Sequence, residues 1–532
     1  MFEKDFLPER SGIFVGPKCC RTELLFSRPY EQPRNKERAP VFCLRSVQTI
    51  RRKLADASQA QKKEGDTHAM TNTVIATVEH TGRDRAIVMG GSIAGLAAAR
   101  VLSDHFREVV LVERDQFGAV GEHRRGVPQG RHTHGLLAGG LRALEGFFPG
   151  LFEEARRAGG LEVNLTRDAY WCYEGGEYRR FASDLEGLLL SRPLLEGIIR
   201  ERVRRVPNVH VWDGCHVEGL ISSSDNRRVT GIKIYGEKAA RTVQANLVID
   251  ATGRGSNSPI WLEAMGYRKP KEDRIAVNTA YVTRHFLRTA DDLNGASLAS
   301  IPATPKNKHG GIILAQEGNR WVVTLSARSG ERVPTDLRQF IEFARTLSAP
   351  YVYNVICRAQ AIGEPQAARF PASVRRRYEH MSRFPEGFLV LGDAICSFNP
   401  VYGQGMTVAA LGAVELDKVL RERPRNLAQK FFARAAKIVD APWSMAAGND
   451  LRMPDVPGKR TVVSRFLHWY LAKLNMAARY DMNAVIAFQK AQNLLAPPQS
   501  LLKPSLMARV LSAAISLRSI PRTSAKSAQQ TA

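Results

Sequence analysis

A hexapeptide of small residues, Gly90-Gly91-Ser92-Ile93-Ala94-Gly95, follows the apolar run Ala86 to Met89 and opens an alanine-rich segment. It fits G-x-G-x-x-G at its first and third glycines, with Ser92 at the second. The chemistry available to such a turn is anion binding. Glycines let the backbone turn tightly, and amides at the start of the following helix then face a pyrophosphate. Serine is small enough to keep that approach open. Glu113 ends the next apolar run, Val109-Val110-Leu111-Val112, about twenty residues on, where a carboxylate accepts hydrogen bonds from ribose hydroxyls. Arg114 follows it. Gly90, Ser92, Ile93, Ala94, Gly95, Glu113 and Arg114 are therefore candidate dinucleotide contacts. The plain alternative is a glycine turn in some other βα unit, and the order strand, turn, helix, strand, acid argues against it.

A second set stands far down the chain: Gly392-Asp393-Ala394, then Pro400, then Gly403-Gln404-Gly405-Met406. The apolar run Phe388 to Leu391 delivers Asp393 at a strand end, where its carboxylate can hold a ribityl hydroxyl. Amides of Gly405 and Met406, opening a helix, then face the pyrimidine edge of an isoalloxazine. Reduced flavin is negative there, and a helix N-terminus stabilises that charge. Together the two sets predict one non-covalently bound FAD, with Asp393, Gly405 and Met406 among its contacts.

The elements that must position these residues are legible from periodicity. A strand over 85–89, a helix over 94–104 and a strand over 108–113 make a βαβ unit. Helices near 136–147 and 192–205 follow, then strands at 209–212, 229–235 and 246–250. Ile312-Ile313-Leu314 and Trp321 to Leu325 flank Glu317-Gly318-Asn319, a hairpin signal. The alternation places Trp321 in the core rather than in a substrate box. The expected architecture is α/β: a Rossmann-type FAD-binding domain over 84–265 and 376–430, an inserted antiparallel β-sheet substrate domain over 266–375, and a helical C-terminal region over 431–532. Residues 1–80 are polar and basic with poor periodicity, so a disordered N-terminal extension is expected, and Met70 is the favoured start.

Composition narrows the class further. A 532-residue chain of 44% hydrophobic and 24% charged residues reads as a globular protein of two or three packed units. No apolar run approaches bilayer length and no secretory leader is evident, so a cytoplasmic enzyme is expected. Seven cysteines, Cys19 and Cys20 adjacent and the others scattered, lack metal-site spacing, and no metal is expected. The net charge of +25 is spread along the chain without a nucleic-acid-binding signature, which favours a solvated surface over a nucleic-acid partner. Leu501, Leu502, Leu506, Val510 and Leu511 beside Arg509 and Arg518 form a basic apolar stripe; at most it serves peripheral membrane contact, and packing onto its own domain is the better reading.

The two motif sets resemble those of the flavoprotein monooxygenases of the para-hydroxybenzoate hydroxylase fold, over about residues 84 to 515. Three stretches are similar to its epoxidase-like branch, which includes polyether epoxidases and, distantly, squalene epoxidase: Arg125 to His132, Gly392 to Met406, and Pro442-Trp443 with Asp450-Leu451-Arg452-Met453-Pro454. The resemblance implies that Arg125 and Arg192 contact FAD. It also implies oxygen transfer from a flavin C4a-hydroperoxide, using O2 and NAD(P)H, the latter directly or through a separate flavin reductase. One departure stands out. Ala251-Thr252-Gly253-Arg254 has Thr252 where aromatic hydroxylases carry the Asp that contacts the nicotinamide cofactor. No phenol-activating base is evident, although His132 and His134 are candidates for acid–base work or for ordinary hydrogen bonding. Alkene epoxidation of a hydrophobic small molecule is thus the leading expectation. Aromatic hydroxylation and reduction of prenyl double bonds are the alternatives. A halogenase signature, Trp-x-Trp-x-Ile-Pro, is absent.

Overall fold

The computed structural model describes residues 83–174, 176–236 and 240–516. The N-terminal extension, Met70 and Arg518 lie outside them. In chain order the elements that matter here are β1 (Arg85–Met89), α1 (Ile93–Ser103), β2 (Glu108–Val112), α2 (Arg192–Arg204), β3 (Val209–Trp212), β4 (Leu247–Asp250), β5 (Glu272–Leu287), β6 (His309–Gln316), β7 (Arg320–Ala327), β8 (Ala361–Arg376), β9 (Phe388–Val390), α3 (Gly405–Glu422) and α4 (Leu427–Asp450).

The first sheet is parallel with strand order β9-β4-β1-β2-β3. Val88 pairs with Ile249 on one side and Leu111 on the other. Ala86 to Met89 are completely buried, as a strand covered on both faces must be, which is why its sequence is a continuous apolar run. Phe388, two strands away at the sheet edge in β9, comes from the far end of the chain and closes the same sheet. Both flavin-type motifs therefore leave the carboxyl ends of parallel strands of one sheet, with β4 between them, where ligands of open α/β sheets bind.

The second sheet has eight strands, in the order Cys396–Ser397, β8, β5, β7, β6, Leu298–Ile301, Ala169–Tyr173, Gly176–Glu177. Its pairings are antiparallel except for Leu298–Ile301 against Ala169–Tyr173. It thus takes in strands from ahead of and behind the 266–375 span. The hairpin expected around Glu317-Gly318-Asn319 is present, with Ile313 opposite Val323. Trp321 is fully buried, and its indole N–H donates to Asp292 Oδ2 at 2.8 Å. Core packing is its role.

Helices Val462–Ala477, Met482–Gln492 and Pro504–Ser516 follow α4. Leu501, Leu506 and Val510 are buried in a cluster with Tyr470, Leu474 and Val485. The stripe read from the sequence is therefore a packing face and not a free one. Among the described residues no helix is long and apolar enough to cross a membrane.

Candidate functional site

The turn after β1 is shaped for close backbone approach. Gly90 has φ +101°, donates its amide to Val112 O at 2.8 Å, and would place a Cβ 2.6 Å from Ala251 O. A Cβ on Gly95 would stand 1.7 Å from Gly90 O, so α1 starts too near the turn for any side chain there. Gly95 acts through this packing and does not line the cavity. Gly90, Ser92, Ile93, Ala94, Glu113, Arg114, Arg192, Asp393, Gly405 and Met406 do line it, in one cleft of about 790 Å³. That size suits a cofactor and leaves room for a small organic molecule.

Below the turn lies a charged network that sequence reading resolved only in part. The Ser92 hydroxyl donates to Glu196 Oε2 at 2.7 Å and accepts from Arg192 at 2.7 Å. Arg124 pairs with Glu196 at 2.6 Å, Glu113 at 3.0 Å and Asp115 at 3.3 Å. Glu113 Oε2 also accepts from the Gly91 amide at 2.7 Å. Burial works to raise the Glu196 carboxyl, but Arg192 and then Arg124 outweigh it and hold the group below its ordinary value. Arg125, which the resemblance assigns to the flavin, is exposed and outside the cavity wall, while Arg124 turns inward to the carboxylates. Glu196 did leave a signal: it stands four residues after Arg192 on α2, a spacing that brings the two side chains together at 3.2 Å.

The second motif faces the first across the cleft. Gly392 has φ +66°, and a Cβ there would lie 2.8 Å from Ala94 Cβ, so the two motifs touch where both are smallest. Asp393 lines the wall with no hydrogen bond or ion pair to any described residue. Burial raises its carboxyl above the usual range, with Arg192 and Arg254 opposing. Gln404, buried and also in the wall, has a side-chain oxygen without a partner. Gly405 and Met406 begin α3 in the same wall. An unpartnered carboxylate, an unpartnered amide oxygen and a helix start are what the hydroxyls and heteroatoms of FAD would satisfy. The residues fit that cofactor. Asp393→Ala is expected to weaken FAD retention by about 1–3 kcal/mol through loss of a buried acceptor. Titration of apoprotein with FAD, followed by flavin fluorescence, checks this; unchanged affinity would remove Asp393 from the site.

His132, His134, His216, Thr252, Arg254, Tyr281 and Phe370 also line the wall. Asp250 behind it is closed to ligands: Thr252 donates to it through its amide and hydroxyl at 2.8 and 2.6 Å, and the hydroxyls of Ser256 and Ser258 donate as well. His132 Nδ1 meets the Thr283 hydroxyl at 2.9 Å, and Thr324 continues that chain to Thr133. Burial, with His285 as the lesser cause, pushes the His132 imidazole down to about 4. Burial, with Arg192 next, pushes His134 down to about 3. Both rings are neutral and weakly basic near neutral pH. An unfolded histidine titrates near 6.5, so between about pH 6.5 and 4 the unfolded chain takes up protons that the native one refuses. Stability is expected to fall as pH falls through that window, by about 1.4 kcal/mol per pH unit for each such group. Thermal midpoints across the window check it: His132→Gln should flatten the slope, and a flat wild-type profile would contradict the burial argument.

Parallel strands, twin glycine motifs and one shared cleft are those of an FAD-dependent oxidoreductase. Comparison with known proteins agrees. A family model described as FAD dependent oxidoreductase matches residues 86–286. Protein Rv3254 of Mycobacterium tuberculosis is 33% identical over 387 residues, covering 69% of this chain and 80% of that protein. Kynurenine 3-monooxygenase of Salinispora tropica is 26% identical over 402 residues, covering 70% and 81%. The flavin-dependent brominase Bmp2 shares the fold at TM-score 0.58 and 14% identity, covering 81% of this chain and 98% of that one. The chain belongs to the FAD-dependent oxidoreductase family.

Proposed function

We propose that this enzyme transfers one oxygen atom from O2 to a carbon–carbon double bond of a hydrophobic small molecule, an epoxidation. FAD, reduced by NAD(P)H directly or through a separate reductase, supplies the activated oxygen when bound. The chain's own task is to bind the flavin between the two motifs, orient the alkene and keep water out. We assign the substrate to the face of the second sheet that carries Tyr281 and Phe370.

One observation carries the choice of an alkene. A phenol must lose its proton to become nucleophilic, and the His132 and His134 imidazoles, at about 4 and about 3, are poor acceptors for it. An alkene needs no base. The similarity to a kynurenine 3-monooxygenase favours aromatic hydroxylation as the second reading. Halogenation finds no support in the sequence, since no two of the six tryptophans are spaced Trp-x-Trp. Oxygen uptake by reduced enzyme separates the first two readings. Polyenes should stimulate it, and His132→Gln should leave that stimulation within about twofold of wild type, because no proton transfer through it is required. Stimulation by phenols alone, abolished in His132→Gln, would replace epoxidation with hydroxylation.

A further inference from the structure

We propose that helix Val462–Ala477 is a docking surface for an anionic lipid bilayer. Its outward stripe carries Val462, Phe466 and Trp469, which are 72%, 45% and 47% exposed, with Val463 67% exposed beside them. The spacing i, i+4, i+7 sets the first three on one face. Phe466 and Trp469 lie ring to ring at 5.8 Å. The other face is used differently: Tyr470 and Leu474 are buried against the helices that follow. The helix is thus held to the protein on one side, and among the described residues nothing covers the other. Scattered exposed apolar residues are ordinary, but four adjacent ones including Trp and Phe mark a binding surface.

Charge decides the occupant. No acidic residue stands between Asp455 and Asp481, whereas Lys459, Arg460, Arg465, Lys473 and Arg479 all do. None of the five pairs with a carboxylate among the described residues. Lys473 follows Trp469 along the same stripe, so its stem can lie on apolar surface while its ammonium reaches a headgroup. An amphipathic helix with aromatic and β-branched residues on one side and only cations around it suits the boundary between headgroups and acyl chains. A second copy of the chain suits it less. A two-fold contact would bring the same cations face to face. Nucleic acid would engage the cations and leave Val462, Val463 and Phe466 in water. The surface stands apart from the flavin cleft, and its assignment does not depend on the alkene reading.

The test uses the full FAD-loaded protein and phosphatidylcholine vesicles prepared with and without phosphatidylglycerol, separated by flotation. The protein should float with the anionic vesicles. Phe466→Ser combined with Trp469→Ser should reduce that partitioning by about tenfold or more, with flavin absorbance and thermal midpoint unchanged. Arg465→Glu combined with Lys473→Glu should reduce it as well. Failure of the wild-type protein to float, or equal flotation of the serine variant, would overturn the proposal. So would a dimer that the serine variant converts to monomer without any vesicle binding, because the face would then serve self-association.

Discussion

Glu196→Ala is expected to cost about 3–5 kcal/mol of stability and to release FAD, although only its spacing from Arg192 marks that residue in the sequence. Its carboxylate is 4% exposed and holds Arg192, Arg124 and the Ser92 hydroxyl together under the pyrophosphate-type turn. Removing it leaves two guanidinium groups in a low-dielectric pocket with only Glu113 and Asp115 to balance Arg124. Breaking one side of a buried pair costs more than the pair contributes, because the partner stays behind uncompensated. Glu196→Gln keeps the shape and the acceptor but not the charge, so it should fall between wild type and alanine. Chemical denaturation with parallel FAD titration measures both effects. An alanine variant as stable as wild type would show that the network is not holding the turn.

A comparable loss, about 3–5 kcal/mol, is expected for Asp450→Ala. Asp450 closes α4, is completely buried, and accepts from Arg328 at 2.8 Å, Tyr402 at 2.7 Å and Asn399 at 3.2 Å. Arg328 is just past β7 in the second sheet, and Asn399 and Tyr402 belong to the loop between Asp393 and α3. One carboxylate therefore ties the substrate-side sheet and the C-terminal helix to the loop that carries the second flavin motif. Burial, with Asp450 as the next cause, drives the Tyr402 hydroxyl well above its ordinary range, so it remains a donor. Asp450→Asn should retain most of the stability and still weaken FAD through movement of the loop. Denaturation midpoints for both variants check the ranking. If asparagine destabilises as much as alanine, charge rather than position is what Arg328 requires.

Both residues show where sequence reading stops. β1, β2 and β4 are buried on both faces, so each reads as an unbroken apolar run ending in a turn or an acid, and the strands of the first sheet are legible to within a residue at each end. Gly90, Gly95 and Gly392 are equally legible, because a Cβ at each would lie within 3 Å of a neighbouring atom. Pairings between distant segments are not. Ala169–Tyr173 joins the second sheet beside Leu298–Ile301, and nothing in its own five residues names that partner. Asp450 lies in a family-like stretch, but it acts where three elements remote in sequence meet. The same limit applies to the C-terminal helices. Leu501 to Leu511 and Val462 to Trp469 have similar apolar spacing, and only the tertiary arrangement shows that the first is buried and the second is not.

The central claim is oxygen transfer to an alkene, and isotope labelling reaches it most directly. Enzyme reduced chemically, then mixed with labelled O2 and an isoprenoid or polyketide alkene, should yield a product one oxygen heavier, with the label in an epoxide. Label in an aromatic ring with alkenes untouched would contradict the epoxidase assignment and leave oxygenase chemistry standing, and a saturated alkene without label would contradict both.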